Sequence, residues 1–140
     1  MISAGAPASR DGNHGWYVIF DQILFRESED DQQGLGLFGQ YGTAPADRNE
    51  VSDYYGIGLV YKGLFNERPD DYLGVAYNKA EFSSRLQPID GRTHEEVIEM
   101  FYLIQWNRYA VIQPDLQFIG NPGGDGRDAL AAGIRCEIAL

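Results

Sequence analysis

The chain has 140 residues, of which 21 are acidic and 11 basic, giving a formal net charge of −10. That balance excludes a nucleic-acid partner, which draws on clustered Lys and Arg, and docking on an anionic membrane surface. Hydrophobic residues at 44% exclude a chain disordered by composition, and one cysteine, Cys136, leaves no internal disulfide framework and no Cys-based zinc site.

The first ten residues, Met1 to Arg10, lack a charged start followed by an apolar run, so they do not read as a secretion signal. Residues 1–14 are expected to be a loop or disordered segment, and the folded part to run over 15–140. If the mature protein leaves the cytoplasm, the chain is expected to be part of a longer one.

From residue 15 onward the pattern is period two. Seven segments of strand length are predicted: Gly15–Arg26, Gln32–Thr43, Val51–Phe65, Asp71–Ser83, Glu95–Asn107, Arg108–Ile119 and Asp128–Leu140. Globular strands have a mode near ~5–6 residues, whereas strands that cross a membrane need ~9–11. Thr93 to Tyr102 opens like a capping box, with Glu96 three residues after Thr93. Its residues nevertheless alternate, with Ile98, Met100, Tyr102, Ile104 and Trp106 against Val97, Glu99, Phe101, Leu103 and Gln105, so a strand is expected.

The better segments each have an apolar and a polar side. Leu130, Ala132, Ile134, Cys136 and Ile138 oppose Gly133, Arg135 and Glu137; Ile112, Pro114, Leu116 and Phe118 oppose Gln113, Asp115 and Gln117; Leu35, Leu37 and Tyr41 oppose Gly36, Phe38 and Gln40. A soluble sheet turns the apolar side inward, and a water-filled membrane barrel turns it out. Connections between the segments are expected to alternate short and long, with aromatics at segment ends, as in an outer-membrane barrel. Asp21 conflicts with strict alternation, which groups it with Tyr17, Ile19, Ile23 and Phe25; a bulge or an interfacial position would resolve it. A bulge is also expected at Pro114, which lacks a ladder donor.

Several blocks now carry a family likeness. Gly15 to Glu27, Gln33 to Gly42, Tyr61-Lys-Gly-Leu64 with Asp70 to Tyr77, Glu99 to Gln105 and Ile112 to Ile119 resemble, in order, the C-terminal part of the carbohydrate-selective porin (OprB) family. The resemblance implies an all-β fold: about seven strands of an antiparallel transmembrane barrel, sixteen-stranded when complete, in the cell outer membrane of a Gram-negative bacterium. It also implies passive diffusion of sugars. Its partners would be carbohydrate solutes, outer-membrane lipid and the remaining N-terminal strands, with a homotrimer left open. The terminal Leu140 departs from the aromatic residue usual at the end of such barrels.

A path for neutral sugars should offer donors, acceptors and flat aromatic faces without tight binding. The expected pore-lining residues are Arg26, Gln40, Lys62, Glu99, Gln105, Gln113, Asp115, Gln117, Arg135 and Glu137, with Gln22 as a further polar candidate. No catalysis, metal or cofactor is expected. Gly34 to Gly39 matches G-x-G-x-x-G but lacks the preceding strand and following helix of a dinucleotide site. Gly120 to Gly126 is loop chemistry. His14 and His94 have no ligand or triad spacing, Glu95-Glu96 and Asp70-Asp71 read as turn charges, and Cys136 as a small hydrophobe. The rival reading is a soluble up-and-down barrel holding an apolar ligand against Ile112, Leu116, Ile134 and Ile138.

Overall fold

The computed structural model describes residues 12–27, 32–85 and 91–139. They form seven strands: β1 (Trp16–Arg26), β2 (Gly34–Thr43), β3 (Val51–Lys62), β4 (Tyr72–Phe82), β5 (His94–Asn107), β6 (Ala110–Gly120) and β7 (Ala129–Ile138). A 3-10 turn, Pro122–Gly124, lies between β6 and β7. Each strand pairs antiparallel with the next in chain order, from β1 to β7, in one sheet. The strands match the predicted segments to within a few residues. The helix-like start at Thr93 is overridden because β4 and β6 supply ladder partners along both sides of β5.

Most of the predicted loop segment, residues 1–11, lies outside the described residues, as does Leu140. The expected alternation in loop length does not hold. Connections 27–33 and 44–50 are equal, and 63–71 is longer than both; only the two-residue turn 108–109 is as tight as expected. At the turns 27–33, 63–71 and 108–109, β1 and β5 end where predicted, but β2, β3, β4 and β6 stop one to three residues short of their predicted segments, which lengthens the first two turns.

Three bulges interrupt the ladders: at Leu24 in β1, Ser52 in β3 and Trp106 in β5. None falls at Pro114. The pairs Phe101–Asp115 and Ile104–Ile112 stand on either side of it in one unshifted register. Proline deletes a donor there, but neither strand gains a residue, so the faces do not exchange. The Leu24 bulge does exchange them. It separates Asp21 from Phe25 and pairs Asp21 with Phe38.

The sheet has little conventional core. Among the described residues the buried apolar side chain is Ala76, while large hydrophobics from every strand but β2 stay exposed. One buried carboxylate organises one end of the sheet. Asp71, 3% exposed, accepts from Arg68 Nε at 2.8 Å and Arg68 Nη2 at 3.1 Å within its own turn. From β5 it accepts the Tyr102 hydroxyl at 2.7 Å and the Gln105 amide at 2.9 Å. Burial pushes this carboxyl up, but Arg68, Tyr102 and Gln105 together outweigh it and hold it below its ordinary value.

Candidate functional site

Direct cross-strand partners project to the same side of a sheet, so the register sorts every strand residue. One face carries Leu37, Ile57, Leu59, Val75, Ile98, Met100, Leu116, Phe118 and Ile134. It is left open: Ile134 is 74% exposed and Met100 53%. Tyrosines mark both its ends. Trp16, Tyr41 and Tyr55 make consecutive ring contacts with centroids 5.2 and 5.1 Å apart. At the other end the Phe65 and Tyr102 rings meet edge-on at 6.0 Å.

The other face is ordered in rungs that run across all seven strands. The first reads Arg26, Gly34, Lys62, Tyr72, Leu103, Gln113, Arg135, and the second Ile23, Gly36, Val60, Gly74, Phe101, Asp115, Gly133. The third reads Asp21, Phe38, Gly58, Ala76, Glu99, Gln117, Ala131, and the fourth Ile19, Gln40, Gly56, Asn78, Val97, Ile119, Ala129. Gln105 and Glu137 share a further rung with Val111, before the first. All ten residues expected along a pore therefore stand on this one face, spread over every strand but β4. Gln22 does not join them. The Leu24 bulge places it opposite Leu37 on the apolar side, where its amide donates to the Ile23 carbonyl at 2.9 Å. Asp21, Tyr17, Ile19 and Ile23 take the polar side instead.

The polar side chains hold one another in place. Arg135 Nη2 donates to Gln113 Oε1 at 3.0 Å, and Gln113 is only 8% exposed. Arg135 also lies 3.5 Å from Glu137, and Gln117 donates to Asp115 at 3.3 Å. Lys62 donates to Gln32 at 3.3 Å and sits 5.6 Å above the Tyr72 ring. The charges are sorted by rung: the first holds three cations, the second Asp115, and the third the carboxylates Asp21 and Glu99. Four side chains on this face were not singled out from sequence. Tyr54 donates to Asn78 at 2.8 Å and accepts from Gln40 at 3.2 Å, which makes an amide–phenol–amide chain above Gly56. Phe38 lies across Gly58 and Phe101 across Gly74, where a Cβ would collide with the rings. The only signal for the phenylalanines in sequence is that each shares its alternating set with polar residues, Phe38 with Gln40 and Phe101 with Glu99 and Gln105.

The groups that could suggest an enzyme serve other ends. Gly34 to Gly39 lies within β2. Gly123, Gly124 and Gly126 take positive φ in the β6–β7 loop. Among the described residues no three His, Cys, Asp or Glu side chains are placed to hold a metal ion. Among the described residues no helix is long and apolar enough to cross a membrane, which says nothing of strands.

Comparisons with known proteins agree with this two-sided sheet. The family model described as "Carbohydrate-selective porin, OprB family" matches residues 1–140. Porin B of Pseudomonas aeruginosa is 27% identical over 155 residues, covering 94% of this chain and 34% of that protein. Porin AaxA of Chlamydia trachomatis serovar L2 is 26% identical over 143 residues, covering 99% and 29%. The high-pH structure of Pseudomonas putida OprB superposes with a TM-score of 0.85 at 26% identity, covering 90% of this chain and 35% of that one. The chain thus spans about a third of the length of the relatives it matches.

Proposed function

The chain belongs to the carbohydrate-selective porin, OprB family, and from that membership we propose that its seven strands form part of the wall of an outer-membrane barrel. Carbohydrates diffuse passively along its polar face, and the ten residues from Arg26 to Glu137 line their path. Further strands close the barrel; nine more would complete sixteen, within the even numbers usual for such proteins.

The observation that carries this reading is the inverted burial of the sheet. Large apolar side chains stand exposed on one face, while glycines, Ala76 and Gln113 are covered on the other. In water that arrangement costs roughly 25 cal/mol for each Å² of apolar surface left wet; against acyl chains it costs nothing. The rival soluble barrel requires Ile112, Leu116, Ile134 and Ile138 to enclose a cavity; the last three are exposed and Ile112 is half-buried. Its closure would also need β7 to pair with β1, and these are the unpaired edges of the sheet.

The polar face suits neutral polyhydroxylated solutes. Its amides and phenols both donate and accept, Lys62, Asp115, Arg135 and Glu137 already hold partners, and charges of both signs are mixed, so hydroxyls are matched without strong capture of ions. Vesicles reconstituted with the complete barrel should swell in isosmotic glucose and maltose, at rates that fall with solute size. Vesicles that stay impermeable to both sugars, with the barrel demonstrably inserted, would remove the proposal.

A further inference from the structure

Phe101 is an apolar side chain on the polar face, and its ring does not stand off the sheet. It lies down over Gly74, its direct partner on β4, filling the space a Cβ would need. Around it is a hollow to which Tyr72, Glu99, Gln113 and Arg135 also contribute, from β4, β5, β6 and β7. Gln113 is fixed by the Arg135 guanidinium, so its amide is held in one orientation.

From this arrangement we propose that Phe101 and its neighbours form a saccharide subsite, in which one pyranose ring stacks on Phe101. A pyranose presents a C–H face and a rim of hydroxyls. The phenyl ring, lowered by the missing Cβ of Gly74, meets the C–H face. Glu99 accepts from hydroxyls, Arg135 donates to them, and Gln113 does both. The subsite rests on the reading that the polar face is the solute path, and it assigns that path a defined stop. Contacts come from one aromatic face and three polar groups in an open hollow, so the sugar is oriented but readily released.

The test is the half-saturation concentration of glucose and of maltose for reducing ion current through the complete barrel in planar bilayers. Phe101→Leu should raise it about three- to ten-fold, the worth of one ring contact. Phe101→Tyr keeps the ring and should stay near the wild-type value. Gly74→Ala should raise it by propping the ring off the sheet. Met100→Leu, on the opposite face of the same strand, should leave it unmoved. An unchanged value in Phe101→Leu, or equal shifts in Phe101→Leu, Phe101→Tyr and Met100→Leu, would overturn the subsite. If wild-type vesicles swell in sugar while Phe101→Leu shows no shift, the subsite falls and the sugar path stands; if they do not swell, both fall.

Discussion

The two ends of the sheet are tied by different means. At the end with turns 27–33, 63–71 and 108–109, one buried carboxylate gathers four hydrogen bonds, and these join the β3–β4 turn to β5. At the opposite end the load is spread. The buried Ser83 hydroxyl donates to the Ala46 carbonyl, its amide donates to the Glu50 carbonyl, and the Asn121 side chain donates to the His94 carbonyl. Arg92 pairs with Glu50 and covers the Phe82 ring at 5.3 Å. A concentrated anchor is strong but fails at one point. A distributed one loses only a part with each deletion.

The largest expected effect follows from removing the concentrated anchor. Asp71→Asn abolishes the ion pair with Arg68 and weakens both bonds to β5. It should lower the unfolding free energy in detergent by about 2–3 kcal/mol, read from a urea titration of the folded form. A loss below that of an ordinary surface substitution would show that the turn is held elsewhere.

Acid should separate the two ends next. The Asp71 carboxyl is held below its ordinary value, so its contribution is fully present above the unfolded value near ~4 and is lost as pH falls through the folded one. Hydrogen exchange at pH 6 and pH 3 should show amides of 63–71 losing protection in acid. The Ala44 and Ser83 amides at the other end, bonded to backbone carbonyls, should keep more of theirs. Equal losses at both ends would erase the contrast.

The smallest effect is expected at the distributed end. Glu50 is largely solvent-facing in its pair with Arg92, so Arg92→Ala should cost about 1 kcal/mol or less in the same urea titration. A loss as large as that of Asp71→Asn would mean that this end too depends on one side chain.

Much of the fold was legible because alternation is a local property. Seven strands, their approximate limits and the division of Gln113, Asp115 and Gln117 from Leu116 and Phe118 all follow from counting by two. Where one residue is inserted, the count changes sign without any mark in the composition. That is why Gln22 was read as polar-facing and Asp21 as its opposite: the Leu24 bulge lies after both. The expected bulge at Pro114 failed for the converse reason, since a missing donor need not add a residue. Tyr54, Asn78, Phe38 and Phe101 were out of reach for a different cause. Each gains its role from a cross-strand partner some twenty or more residues away, Gly58 for Phe38 and Gly74 for Phe101, and such pairing needs the register, not the sequence pattern alone.

The glycine beneath Phe101 sets how far that face stands off the sheet. Clearance there depends on an atom that is absent: a hydrogen in place of a methyl lets the neighbouring ring recline. Tuning by subtraction makes Gly74 and Gly58 the positions where the smallest possible enlargement, a single carbon, would narrow the proposed path through a side chain that is not its own.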